Sequence, residues 1–181
     1  MSYDRTTIAL HWGAAVLVPL LWVIGQTADW IPDGWLNTDV WSVHVALGFA
    51  LTVMLAGRIT WRASNGRHLP PADRGALQSL AKATHYLLYG LLVAVAASGI
   101  VNAFVRGYNM FDLFTLPQLG NLDWRRPITY WHGLAANVLL GLALFHAAAA
   151  LVHHYLWQDG VLSRMLPADS VTGAAELERQ R

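Results

Sequence analysis

The chain has 181 residues, 55% of them hydrophobic and 13% charged, with a formal net charge of +1. Ordinary soluble domains carry about 25% charged residues, so lipid is the expected main solvent. The absence of cysteine excludes disulfides, iron–sulfur ligation and covalent haem attachment through a C-x-x-C-H motif, and any haem must be held non-covalently.

Four runs contain no charged residue: 6–28, 40–57, 83–105 and 127–158. Crossing ~30 Å of hydrocarbon takes roughly 20 helical residues, and backbone polar groups in lipid must be satisfied within the segment. The runs predict membrane-spanning helices over about 6–28, 40–60, 83–105 and 127–158, the last projecting beyond the bilayer. The first carries His11 and Pro19 and has three partners of similar length, so it reads as a retained helix and not as a cleaved signal peptide. The fold class is thus all-α, an integral membrane four-helix bundle over 1–167, followed by a polar tail over 168–181.

The first outer loop holds Asp29, Asp33 and Asp39 and no basic residue. If the helices alternate, Arg5, Arg58, Arg62, Arg67, Arg74, Lys82, Arg164, Arg179 and Arg181 share one side, and only Arg106, Arg125 and Arg126 lie on the other. The positive-inside rule then puts both termini, and the 168–181 tail, in the cytoplasm. Two linkers are long: 62–82 with Pro70-Pro71, and 106–126, whose Phe111, Phe114 and Leu116 suit a segment lying on the membrane surface or capping a pocket. Trp30, Trp35, Trp41, Trp61, Trp124, Trp131 and Trp157 fall near the membrane ends, where amphipathic rings favour the interface.

Seven of the eight histidines lie in or at the ends of the apolar runs: His11, His44, His85, His132, His146, His153 and His154. Intramembrane ionisable groups are costly and point to function; His68, in the basic loop, reads as a solvated surface residue. His132 and His146 are fourteen positions apart, nearly four turns, so one face of the fourth helix serves two depths about 21 Å apart. Matching depth pairs His44 with His132 and His11 with His146. Each pair can supply two axial imidazoles to one iron, an arrangement suited to electron transfer, so two b-type haems are expected. Gly13, Gly48, Gly133 and Gly141 lie near these ligands, either leaving room for a flat macrocycle or allowing close helix contact. A zinc or divalent-cation pathway is the competing metal reading, but no run contains a carboxylate to complete such a site.

His11-Trp12, His44, Trp131-His132-Gly133 leading to His146, and the closing segment from His146 through His153-His154-Tyr155 and Asp159 to Arg164-Met165-Leu166-Pro167 resemble the bacterial cytochrome b561 family over about residues 5–167. The resemblance implies a bundle with two bis-histidine haems on His11, His44, His132 and His146, in the bacterial inner membrane. It further implies superoxide as the periplasmic electron donor and ubiquinone as the acceptor. The ligand arrangement is also similar to that of the cytochrome subunits of formate dehydrogenases and nickel hydrogenases, so a quinone-linked electron conduit docked on a dehydrogenase is the alternative. A metal transporter or a purely structural membrane protein would lack a haem redox reaction, and no nucleic-acid partner is expected.

On this reading Arg125 and Arg126, with Arg106 on the same side, attract the superoxide anion, unless they anchor lipid headgroups. Quinone reduction needs protons, for which imidazole is a suitable relay. His153, seven positions after His146, and His85, at the start of the third helix, are the expected quinone-site or relay residues, with Lys82 and His154 as weaker members; the competing reading is hydrogen bonding to haem propionates or interfacial snorkelling.

Overall fold

The computed structural model describes residues 2–66, 69–71 and 74–167. His68, Arg67, Arg179, Arg181 and the tail over 168–181 lie outside the described residues. Four long helices account for most of the chain: α1 (Arg5–Thr27), α2 (Trp35–Ser64), α3 (Gly75–Arg106) and α4 (Arg125–Val152). Each is long and apolar enough to cross a membrane. α1 packs most extensively on α2 and α3 on α4, while α2–α3 and α1–α4 contacts close the ring. The bundle has a terminal end, where α1 begins and α4 finishes, and a hairpin end.

Two helices begin well before their charge-free runs, at Trp35 and Gly75. A charge-free run marks only the segment that lipid requires to be apolar; outside it, the i to i−4 bonds continue while side chains such as Asp39 and Lys82 reach water. The fourth helix ends sooner than expected. Regular α geometry stops at Val152, a π-helical turn covers His153–Trp157, and Gln158 takes a left-handed φ of 53°. The hairpin end also carries a short antiparallel pair, β1 (Asn109–Met110) and β2 (Phe114–Thr115), inside the loop that the sequence left without regular structure. Ser42, on α2, fastens this hairpin: its hydroxyl lies 3.3 Å from Asn109 O and accepts from Phe111 N–H at 3.0 Å.

The buried core consists of Ala14, Leu21, Leu51, Leu55, Leu92 and Leu139, drawn from all four helices. Leu139 lies midway between His132 and His146 in α4, so this apolar plug fills the bundle between the two histidine levels. Outward-facing Val16, Val53, Leu144 and Phe145 are exposed, as expected where lipid replaces water as the neighbour.

Several tryptophans do more than anchor at an interface. Trp61 donates to Asp4 Oδ1 at 2.9 Å, Trp12 to Met165 O at 2.8 Å, and Trp22 to Asn137 Oδ1 at 2.7 Å. Asp4 also caps α1 through Thr7 N–H at 2.9 Å. The first two bonds tie the start of α1 to α2 and to the segment after α4.

Candidate functional site

Two histidine pairs sit at opposite ends of the bundle. His44 of α2 and His132 of α4 have ring centroids 6.3 Å apart at 76°; His11 of α1 and His146 of α4 have centroids 6.3 Å apart at 37°. An imidazole–metal bond of about 2.0–2.1 Å and a centroid-to-nitrogen distance of about 1.2 Å put the rings of a bis-imidazole metal roughly 6.4 Å apart. Both pairs match this spacing.

The hydrogen bonding of these rings is compatible with metal ligation. Buried polar atoms are normally paired, yet among the described residues Nδ1 of His11 and Nδ1 of His44 are buried without a hydrogen-bond partner. His132 is oriented differently. Its Nδ1 lies 3.0 Å from Val95 O and 3.1 Å from Ser98 Oγ, while Ser98 donates its own proton to Ala94 O at 2.7 Å. A carbonyl can only accept, so Nδ1 carries the proton and Nε2 keeps its lone pair, as expected for a metal-ligating histidine.

Glycines provide the room. A Cβ at Gly99 would stand 3.0 Å from His132 Cε1, and one at Gly25 would stand 3.2 Å from His44 Cε1. Both positions were missed from sequence, since nothing local marks a notch that receives a ring from another helix. Of the four glycines singled out from sequence, Gly48 and Gly133 line an open cavity, and among the described residues a Cβ at Gly48, Gly133 or Gly141 would meet no atom within 4 Å beyond its chain neighbours and its own helix's nearby backbone. Gly13 instead packs on Met54, 2.9 Å from the would-be Cβ, so it serves close helix contact.

The cavity at the hairpin end has a volume of about 310 Å³ and is lined by His44, His132, Gly48, Gly133, Arg106 and Tyr108, among others. Leu21, Leu51 and Leu139 of the apolar plug form part of its wall. Arg106 is held over it by Asn102 Oδ1, 3.1 Å from Nε, and by Thr129 Oγ1, 2.9 Å from Nη2. Burial raises the Tyr108 hydroxyl pKa above the usual tyrosine value; Arg106 opposes this and Asp29 adds to it. The phenol therefore remains a proton donor. Arg125 and Arg126 lie outside the lining, exposed at the start of α4, where they add to the positive pole of the helix.

At the terminal end His85 approaches His146 directly, with centroids 5.2 Å apart and rings at 69°. Arg58, which the sequence reading used only as an orienting charge, donates from Nε to Tyr89 Oη at 2.8 Å and lies 5.3 Å from the Tyr89 ring centroid. Tyr89 follows His85 by one turn on the same face of α3. Lys82 and His154 are exposed; His154 packs edge-on to Tyr155, at 4.7 Å between centroids. His153 is paired with Asp159, whose role the sequence reading missed, at 2.5 Å from Nδ1 to Oδ2.

Comparison with known proteins agrees with a haem-binding bundle. A sequence model described as prokaryotic cytochrome b561 matches residues 2–168. The chain is 27% identical over 173 residues to a probable superoxide oxidase CybB of Yersinia pestis, covering 92% of this chain and 96% of that protein. It is 29% identical to cytochrome b561 homolog 2 of Escherichia coli over 178 residues, covering 93% of each. It is 31% identical to cytochrome b562 of Cereibacter sphaeroides over 170 residues, covering 91% of this chain and 95% of that protein. With its histidine pairs set in four membrane-length helices, the chain belongs to the prokaryotic cytochrome b561 family, whose members are membrane electron-transfer proteins that bind b-type haem.

Proposed function

We propose that this protein is a superoxide:ubiquinone oxidoreductase of the bacterial inner membrane, with both termini cytoplasmic and two non-covalent haem b groups. Two superoxide ions give two molecules of oxygen, and one ubiquinone takes up the two electrons with two protons. The observation that carries the reading is the recurrence of one ring spacing, 6.3 Å, in two histidine pairs at opposite ends of the bundle.

His44 with His132, and His11 with His146, would hold the two haem groups. Haem so held would supply reversible one-electron chemistry. The Val95 carbonyl keeps the His132 proton on Nδ1 and so leaves Nε2 to ligate. Leu51, Leu55, Leu92 and Leu139 exclude water between the two levels.

At the periplasmic face the superoxide anion is drawn by Arg106 at the cavity and by Arg125 and Arg126 beyond it, since focused positive charge raises the encounter rate of a small anion. At the cytoplasmic face His85 and His153, with Lys82 and His154, serve the quinone and its protons. Support for this polarity comes from the nine-to-three distribution of basic residues between the two sides. Support for the donor comes from the relative named probable superoxide oxidase.

Stopped-flow visible spectroscopy of the purified protein tests the reading, mixing oxidised haem with superoxide and then following reoxidation by a water-soluble ubiquinone. Rapid haem reduction followed by quinone-dependent reoxidation is expected. A low-spin haem spectrum that superoxide does not reduce would instead indicate an electron conduit for a protein donor, and no haem spectrum would end the account.

A further inference from the structure

The segment after α4 turns back onto it. Gln158, in the left-handed region, redirects the chain so that Asp159 returns to His153. Asp159 Oδ2 accepts from His153 Nδ1, Oδ1 accepts from Val161 N–H at 3.1 Å, and Asp159 N–H reaches His153 O at 3.4 Å. The far end of this turn is pinned to the rest of the bundle. Tyr3 N–H donates to Arg164 O at 2.9 Å, Trp12 Nε1–H to Met165 O at 2.8 Å, and Arg164 Nη1–H to Pro70 O at 2.8 Å. The His153 side chain is only 13% exposed, with the Trp157 ring edge-on at 4.5 Å between centroids. A carboxylate is thus held against one nitrogen of an imidazole proposed above for proton delivery.

We propose that Asp159 is a positioning residue that locks His153 as the Nδ1–H tautomer and reserves Nε2 for passing protons to the quinone. The inference rests on the quinone reading above. Slight burial raises the Asp159 pKa, but the hydrogen bonds from His153 and Val161 and the charge of His153 outweigh it and hold the carboxyl below its usual value. The carboxylate therefore only accepts, and Nδ1 must carry the hydrogen. In each delivery Nε2 takes a proton from cytoplasmic water while Nδ1–H stays bonded to the Asp159 carboxylate. The Nε2–H bond then breaks as an O–H bond forms on the quinone oxygen, whose electrons come from superoxide. The Nδ1–H bond stays intact throughout.

The test compares the haem-loaded wild-type protein with D159N and D159E. An asparagine amide can donate to Nδ1 and so favours the opposite tautomer. In ¹⁵N-histidine NMR, with the His153 signals assigned by their loss in H153Q, D159N is expected to move the proton from Nδ1 to Nε2. Reoxidation of pre-reduced protein by soluble ubiquinone should slow about tenfold to a hundredfold, the usual effect of losing an orienting partner, with haem content unchanged and D159E restoring both readouts. An unchanged tautomer in D159N overturns the proposal, as does a switched tautomer with the wild-type reoxidation rate. Wild-type protein that ubiquinone does not reoxidise overturns the quinone reading and the proton-delivery role with it, whereas the tautomer measurement still reports whether Asp159 orients the ring.

Discussion

Replacing Gly99 by alanine sets two local effects against each other. Gly99 lies in the interior of α3, where alanine is intrinsically favoured over glycine by about 1 kcal/mol. The new methyl would stand 3.0 Å from Cε1 and 3.4 Å from Nδ1 of His132, so the ring must move by a few tenths of an ångström. It has little freedom to do so, because Nδ1 is held at 3.0 Å by Val95 O and 3.1 Å by Ser98 Oγ, both on the helix that carries the methyl. Overpacking typically costs about 1–3 kcal/mol, and a stretched hydrogen bond about 1 kcal/mol. The gain in helix propensity offsets part of this, so the melting temperature should change little. The cost falls on the orientation of the His132 ring, and if that ring ligates haem about 1.4 kcal/mol there means a tenfold loss of haem affinity. The expected result is loss of about one haem per chain at limiting haem, measured by pyridine haemochrome, with a weakened low-spin spectrum. Gly90→Ala, also in α3, is the control, since among the described residues its Cβ would meet nothing within 4 Å beyond its chain neighbours and its own helix's nearby backbone. A Gly99→Ala protein with its full haem complement, wild-type affinity and unchanged spectrum would refute the claim that His132 is a ligand seated in this notch.

Three further groups of substitutions probe other parts of the molecule. His146→Ala and His11→Ala should each leave one haem bound, whereas His85→Ala should leave both even though its ring is nearer to His146; haem loss in His85→Ala but not in His11→Ala would exchange their roles. Arg106→Gln should slow haem reduction by superoxide about threefold to tenfold and reduce its salt dependence, with smaller effects from Arg125→Gln or Arg126→Gln, which lie outside the cavity lining; equal effects from all three would place the attraction in the general field of that face. Asp4→Ala removes the cap on Thr7 N–H and the acceptor for Trp61 and should cost about 1–2 kcal/mol, seen as a melting temperature lower by several degrees; an unchanged melting temperature would show that the α1–α2 tie contributes nothing.

Much of the fold was legible because lipid restricts the alternatives. An apolar run that must satisfy its own backbone becomes a helix, and the rise along that helix is the same wherever it packs. Counting residues therefore places His44 level with His132 and His11 level with His146 before any packing is known. Rotation about each helix axis is not local and could not be read in the same way. That is why the sequence offered no reason to expect His85 against His146, Arg58 on Tyr89, or Arg106 at the cavity while Arg125 and Arg126 stand outside it. The notches at Gly25 and Gly99 exist only because rings from α2 and α4 cross to α1 and α3. The π turn, the left-handed Gln158 and the return of Asp159 to His153 depend on the pinning of Arg164 and Met165 by Tyr3 and Trp12, more than 150 residues away in the chain. The sequence by itself determined the four membrane-length helices and the depths of their histidines, since both follow from local composition and helical rise; tertiary packing alone decided which rings face one another and which polar groups orient them, since those depend on contacts between distant segments.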